Sequence, residues 1–190
     1  MLKIKRFISN FKIFFLMIFT ALGLTTCASN SKIQKSPFKE PIDLSAVGKI
    51  TEWDVEIKDK TNYSLILNIY FRRPNKYLHY LDKIETQEEN KNLRKIIGAF
   101  ERTGPGKWIE PGIPATFHVL VLKKSNKEEL LNSVVNNLAP GPSYMGYWFE
   151  LFHVRLEPGL YTIRVKYIAG DPKLAAYPAD YVFGKTFFGK

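Results

Sequence analysis

The chain has one cysteine and three histidines in 190 residues, and this scarcity excludes several kinds of site. A single thiol has no disulfide partner within its own chain. A zinc site needs at least three convergent ligands, and the sequence has no HxH motif, no HExxH motif and no cluster of Cys and His. No serine lies in a G-x-S-x-G elbow, and no segment has the spacing of a P-loop. We therefore expect no metal, no cofactor and no catalytic residue.

The N-terminal residues have the layout of a secretory signal. Four positive charges and no acid occur in the first twelve residues, and an apolar run follows over 13–24. This run is shorter than the roughly 20 residues that a transmembrane helix needs. The pattern therefore predicts an exported protein.

Leu24-Thr25-Thr26-Cys27 resembles the lipobox of bacterial lipoproteins, in which the cysteine is acylated and the chain is cut just before it. The resemblance implies a signal peptide over 1–26 and a lipid on Cys27. The absence of any second cysteine favours this interpretation, because a free thiol is unusual in an oxidising compartment. Two alternatives remain, which are an ordinary signal cleaved after Ala28 that leaves a soluble periplasmic protein, and a retained transmembrane anchor.

The residue after the cysteine bears on the compartment. In lipoproteins an Asp at that position favours retention in the inner membrane, and here the residue is Ala28. The resemblance thus implies an outer-membrane lipoprotein that faces the periplasm, attached to the membrane through the lipid on Cys27.

Cleavage before Cys27 also changes the charge. It removes four positive charges and no negative charge, which lowers the formal net charge from +10 to +6. The remaining positive residues are scattered, whereas nucleic-acid binding favours a concentrated basic stripe with stacking aromatic residues. We expect no nucleic-acid partner, and only weak attraction to anionic lipid headgroups.

Residues 27–41 are polar, with prolines near the end and no apolar periodicity, and predict a lipidated tether. Residues 42–190 are numerous enough for one domain with a sizeable core. They contain no internal repeat and no second linker. The sequence thus predicts a single folded domain on a short tether.

Alternation of apolar and polar residues predicts strands through most of this domain. Residues 50–72 alternate in two runs around a turn at 59–62 and predict a long hairpin. Residues 126–138 fit a short helix or an edge strand, and favour irregular structure. Further strands are predicted over 115–123, 147–156, 160–167 and 181–188, and a short helical insertion over about 76–98.

This spacing of strands predicts a mainly β protein, an antiparallel immunoglobulin-like β-sandwich with the helical insertion at one end or side. The run Leu156-x-Pro158-Gly159-x-Tyr161 resembles the tyrosine corner of such sandwiches. That resemblance implies a structural role for Tyr161, whose hydroxyl would bind backbone upstream of it.

Several landmarks follow one another in order along the chain. They are residues 41–44 (PIDL), 48–49 (GK), the strand at 63–71 with a charged helical stretch after it, 111–114 (PGIP) and 156–163 (LEPGLYTI). Together they resemble a family of uncharacterised bacterial envelope lipoproteins with an immunoglobulin-like sandwich, a domain of unknown function. The resemblance implies a fold and a compartment, and it carries no catalytic residues.

Aromatic and large apolar residues on two segments rich in Gly and Pro are candidate binding residues. Stiff loops lose little entropy on binding, so aromatic residues on them suit recognition of a protein or a glycan. The same side chains would alternatively fill the open ends of the sandwich. The candidates are Trp108, Ile109, Tyr144, Tyr147 and Trp148.

These features predict a lipid-anchored envelope protein that is not an enzyme and that binds another molecule, a protein in preference to a small ligand. One version is an immunity lipoprotein against a secreted toxin. The alternatives are a structural accessory component of an envelope or secretion assembly, and a periplasmic hydrolase with His118 or His153 as its base.

Overall fold

The computed structural model describes residues 33–71, 82–98, 101–102, 108–109, 112–143 and 145–186, all within one compact unit. The predicted signal peptide, Cys27 and Tyr144 lie outside the described residues. So do residues 76–81 of the predicted helical insertion and residues 187–188 of the last predicted strand.

The described residues form mostly strands, with two helical elements. The helical elements are α1 (Asp82–Ile97) and a 3-10 helix (Pro172–Ala176). The strands are, in chain order, β1 (Gln34–Lys35), β2 (Phe38–Ile42), β3 (Ile50–Ile57), β4 (Thr61–Tyr70), β5 (Glu101–Arg102), β6 (Trp108–Ile109), β7 (Ala115–Lys123), β8 (Glu128–Asn136), β9 (Gly141–Pro142), β10 (Gly146–Leu156), β11 (Gly159–Gly170) and β12 (Ala179–Lys185).

The strands form two five-stranded sheets. Sheet A has the order β1-β3-β11-β7-β8, sheet B has the order β2-β12-β4-β10-β9, and β5 pairs with β6 separately. All neighbours are antiparallel except β1 and β3. Alternate residues of both sheets, such as Val55, Leu65, Phe149 and Ile163, are fully buried in one shared core. The predicted mainly β sandwich is confirmed.

The hairpin predicted over 50–72 is wrong. β3 pairs with β1 and β11 in sheet A, whereas β4 pairs with β10 and β12 in sheet B. Residues 58–60 therefore connect the two sheets. Both strands bury one face against the same core, so their alternation is identical to that of a hairpin and does not reveal which strands pair.

The tether predicted over 27–41 is also wrong from Gln34 onward. β1 pairs with β3 of sheet A, and β2 pairs with β12 of sheet B, so the N-terminal segment crosses between the sheets at Ser36–Pro37. The ring of Phe38 stacks on that of Phe183 with centroids 5.5 Å apart. Edge strands are held mainly by backbone hydrogen bonds and bury few side chains, which is why a polar composition concealed them.

The other predicted elements agree with the structure, with one exception. Residues 126–138, for which irregular structure was favoured, contain the edge strand β8. The described part of the predicted helical insertion is α1, which buries Leu93 and Ile97 and ends at Gly98 in the left-handed conformation (φ 61°). The last strand begins at Ala179, two residues before its predicted start.

Two tyrosines fix turns at the same end of the sandwich. The hydroxyl of Tyr161 donates to the carbonyl oxygen of Glu157 at 2.9 Å, which is the bond that the tyrosine-corner resemblance implies. The hydroxyl of Tyr63 donates to the carbonyl oxygen of Asp59 at 3.2 Å, also four residues upstream. The donor and the acceptor are thus four residues apart in both turns, although the Pro-Gly motif occurs only in the turn before Tyr161.

Candidate functional site

Tyr147, predicted on a binding loop, is a core residue. It lies in β10, is 5% exposed, and donates its hydroxyl to Oδ1 of Asn90 on α1 at 2.8 Å. Its ring contacts that of Phe71 edge to face, with centroids 6.5 Å apart, and burial raises the pKa of its phenol. Tyr147 therefore joins α1 to sheet B, and its assignment as a recognition residue is corrected.

Trp148 follows it in β10 and faces the opposite way. Its side chain is 40% exposed and covers Gly141 of β9, where any Cβ would overlap the indole ring. Trp108 and Ile109 form β6, which pairs with β5. Tyr144 lies outside the described residues. The structure thus leaves Trp148 as an exposed aromatic residue on the outer face of sheet B.

The two strand histidines lie on different sheets, because β7 carries His118 in sheet A and β10 carries His153 in sheet B. His118 Nε2 is 2.7 Å from Oδ1 of Asn132 on the neighbouring strand β8. A joint site formed by both histidines is therefore excluded, since the sandwich core separates the two outer faces.

His153 belongs to a chain of polar contacts with Glu150, Thr186 and Ser64. Its Nδ1 lies 3.5 Å from Oε1 of Glu150 and 3.3 Å from Oγ1 of Thr186, which is 2.9 Å from Oγ of Ser64. A relay of nucleophile, base and acid uses one imidazole nitrogen for each partner. Here the hydroxyl and the carboxylate approach the same nitrogen, so the arrangement does not have the geometry of a relay.

A buried carboxylate on each outer face ties strands together. Asp180 of β12 accepts hydrogen bonds from Nδ2 of Asn68 at 3.0 Å and from the hydroxyl of Tyr70 at 3.3 Å, and pairs with Nζ of Lys39 at 2.8 Å. The hydrogen bond to Asp180 raises the pKa of Lys39. These contacts hold β2 onto sheet B, which gives Asp180 a structural role.

Asp54 has the matching position on sheet A. It accepts a hydrogen bond from Oγ1 of Thr162 at 2.8 Å and pairs with Nζ of Lys124, also at 2.8 Å. Thr162 is buried on the outer face of sheet A, where it makes this bond. Polar side chains on both faces are thus engaged with neighbouring strands.

Among the described residues, β8 has the longest regular run of edge residues without a neighbouring strand. β1 covers only two residues of β3 and β9 only two of β10, which leaves shorter open runs at 50–54 and 152–156, and β2 carries Lys39 and Pro41 in its five residues. Short strands, lysine and proline are devices that prevent another chain from pairing with an edge. β8 has nine residues with no lysine, arginine or proline, and a bulge interrupts it only before Leu131. Its regular run, 131–136, has no neighbouring strand on this side in the described part of the chain and could pair with an added strand.

Both ends of this run are fixed. Lys127 and Asn137 flank β8 with left-handed φ values of 57° and 48°. After the strand, Ile113 N donates to the carbonyl oxygen of Leu138 at 3.0 Å, and Gly112 packs so closely on Asn137 that any side chain there would overlap its carbonyl. β8 is therefore bounded by a left-handed residue on each side, and the segment after it is tied to residues 112–113.

A row of residues crosses the outer face of sheet A beside this edge. Register pairs place Ile50, Lys166, His118 and Val134 side by side on β3, β11, β7 and β8. The two apolar members at its ends are 55% and 58% exposed. Val134 thus presents apolar surface at the β8 end of this row, and Ile50 presents similar surface at the β3 end, on the same face of the sheet.

A cavity of about 500 Å³ lies where the N-terminal segment crosses between the sheets. It opens beside the 58–60 connection and the end of β12. Its lining residues are Lys35, Ser36, Pro37, Glu56, Lys58, Asp59, Tyr63, Val182, Gly184 and Lys185.

Across the described ranges, no three His, Cys, Asp or Glu side chains gather closely enough to hold a metal ion. Within the same ranges, neither helical element is long and apolar enough to cross a bilayer.

The model of a domain of unknown function, DUF5625, matches residues 39–185, and the chain belongs to this family. The matched span starts inside β2 and ends at the last residue of β12. A similar solved structure is the crystal structure of GEBA250068378 from Sulfurospirillum deleyianum, with a TM-score of 0.56 and 17% identity. The match covers 79% of this chain and 97% of that one, and it shows a shared fold. No curated protein matches the chain significantly.

Proposed function

We propose that this DUF5625 protein is a lipid-anchored component of the bacterial envelope that binds another protein and does not transform a substrate. The anchor is the acyl group on Cys27 at the outer membrane, and the sandwich is the binding module. The observation that carries the binding role is the free edge of β8, because a protein partner can extend sheet A there by adding a strand.

Strand addition draws its affinity from backbone hydrogen bonds and its specificity from alternate side chains. On β8, Asn132 and Val134 project from the outer face, and Asn132 is held by His118 and by Glu129, whose Oε2 accepts from its Nδ2 at 2.9 Å. The strand is therefore ordered before a partner arrives, which reduces the entropy lost on binding.

The edge is tested with two matched substitutions on one row of sheet A. Val134→Lys places a lysine on the β8 edge, whereas Ile50→Lys makes the same change at a similarly exposed residue on β3, three strands away, where β1 leaves the opposite edge of sheet A uncovered, so the pair also tells which edge binds. We expect the first variant to capture its partner at least about tenfold less well, a difference of about 1.4 kcal/mol. The second variant should match the parent protein.

The measurement is affinity capture of the tagged full-length protein from its own cells, with secreted fractions added and bound proteins quantified by mass spectrometry. A protein lost with Val134→Lys and retained with Ile50→Lys supports the edge as the binding site. Equal capture by both variants, with both folded, contradicts it.

The anchor is tested separately by Cys27→Ser, which removes the acylated thiol. We expect the protein to move from the membrane fraction to the soluble or precursor fraction, measured by immunoblotting after fractionation. Unchanged recovery with the outer membrane would contradict anchoring through Cys27.

Two finer versions of this function make different predictions. An immunity lipoprotein neutralises a secreted toxin, so a deletion strain should lose fitness when it grows beside its parent. A structural accessory component should instead give an envelope or secretion defect when the deletion strain grows alone. Full fitness beside the parent would contradict the immunity version.

A further inference from the structure

The cavity at the crossing of the N-terminal segment lies away from the β8 edge and has no part in the function proposed above. One wall is the turn at Ser36–Pro37, and the side chain of Pro37 lies 3.4 Å from where a Cβ on Gly184 would be. The floor includes Tyr63, which is fully buried and stacks on Phe183 at an interplanar angle of 10°. A volume of about 500 Å³ lies within the usual range for small-molecule sites.

The lining contains three lysines and two carboxylates, so its formal net charge is positive. Nζ of Lys185 lies 2.6 Å from Oδ2 of Asp59, so these two charges neutralise each other. Lys35 and Lys58 have no carboxylate within ion-pair distance among the described residues, and they face one remaining acid, Glu56. Two ammonium groups thus stay available for a ligand.

The surroundings add positive potential at this end of the sandwich. Lys60 adjoins the cavity wall and pairs with Glu157. The hydrogen bond from Lys60 lowers the pKa of Glu157, and the charges of Lys123 and Arg155 lower it further. Glu157 therefore lies in the field of three cations, which places positive charge at the same end of the sandwich as the cavity.

We propose that this cavity binds a phosphate-bearing anion, with Lys35 and Lys58 on the phosphate and with Pro37, Tyr63 and Val182 against its carbon atoms. One source is an anionic phospholipid headgroup, and this source rests on the proposed anchor. Cys27 lies seven residues before Gln34, a reach of at most about 25 Å, so an acylated chain would hold the cavity close to the membrane. The other source is a soluble phosphate compound.

The test is calorimetric titration of the detergent-solubilised full-length protein with inorganic phosphate, short-chain phosphatidylglycerol and short-chain phosphatidylcholine. Stronger binding of phosphatidylglycerol than of the other two supports a lipid headgroup. Equal binding of phosphate and phosphatidylglycerol supports a soluble source. Absence of binding to both, or equal binding of the two lipids, overturns the proposal.

Two substitutions test whether the binding takes place in the cavity. Lys35→Gln and Lys58→Gln should each weaken binding about tenfold, because each removes a charge-assisted hydrogen bond. The control is Lys166→Gln, an exposed lysine on the outer face of sheet A. Unchanged affinity in both cavity variants would overturn the assignment. Val134→Lys should leave this titration unchanged, so failure of the cavity and failure of the β8 edge are distinguishable.

Discussion

The two ends of β11 carry a tyrosine each, and the two side chains differ in what their hydroxyls meet. Tyr161 and Tyr167 are both 1% exposed on the same inner face. The first donates to the carbonyl oxygen of Glu157, whereas the second has no hydrogen-bond partner in the part of the chain that the structure describes. The two side chains are equally buried, so burial alone does not measure how much a tyrosine contributes to stability.

The surroundings explain the difference. Tyr161 follows a turn whose carbonyl groups point back toward it, and the phenol completes that turn. The ring of Tyr167 stacks on Phe117 with centroids 5.2 Å apart, and its hydroxyl lies against Gly170. Tyr167 therefore contributes shape and apolar area, and its desolvated hydroxyl opposes folding.

The largest expected effect is at Gly170, where a side chain would break the packing at the Tyr167 end. A Cβ there would overlap the hydroxyl oxygen of Tyr167 and lie 2.8 Å from its Cζ. Gly170→Ala should lower the free energy of unfolding by about 3 kcal/mol, measured by denaturant titration.

Gly184→Ala is its control, because the nearest atom to that Cβ is 3.4 Å away. Adding Tyr167→Phe to Gly170→Ala should recover part of the loss, since the oxygen is removed while the ring carbon remains close. A midpoint unchanged by Gly170→Ala would mean that the Tyr167 end is loosely packed.

A smaller effect is expected at the other end of the strand. Tyr161→Phe removes the hydroxyl of a buried tyrosine and with it the part-buried hydrogen bond to the carbonyl oxygen of Glu157. The free energy of unfolding should fall by about 1–3 kcal/mol, again by denaturant titration. An unchanged midpoint would show that the corner contributes packing and no hydrogen bond.

The smallest effect is expected for the matched change Tyr167→Phe. It removes a hydroxyl that has no partner among the described residues, so stability should stay within about 0.5 kcal/mol of the parent or rise. A loss as large as that of Tyr161→Phe would reverse the comparison and point to a buried water or ligand at that hydroxyl.

The sequence predicted which face of a strand is buried better than it predicted which strands pair. The apolar members of the alternation at 160–167 are the residues that β11 buries in the core, which are Tyr161, Ile163, Val165 and Tyr167. Alternation reflects burial against the core, which is local information. Pairing depends on which of the two sheets the next strand joins, and alternation carries no information about this. The sequence therefore did not predict that residues 58–60 cross from one sheet to the other.

The functional surfaces were harder to predict for the same reason. Tyr147 sits in a stretch rich in Gly and Pro, which is typical of recognition loops, but Asn90 on α1 covers it and is 57 residues away in sequence. The cavity is lined by segments around residues 35, 58, 63 and 184 that only the topology brings together. No sequence pattern predicted the β8 edge, because an open edge is defined by the absence of a neighbouring strand.

The crossing of the N-terminal segment also has a mechanical consequence. A pull from the N-terminal side loads β1 first, and this strand runs parallel to β3 with only two register pairs between them. β2 lies behind it with five pairs to β12, and the salt bridge between Lys39 and Asp180 reinforces them. Because β1 has fewer register pairs than β2, we expect β1 to detach first under such a load, which would lengthen the N-terminal segment while the sandwich stays intact.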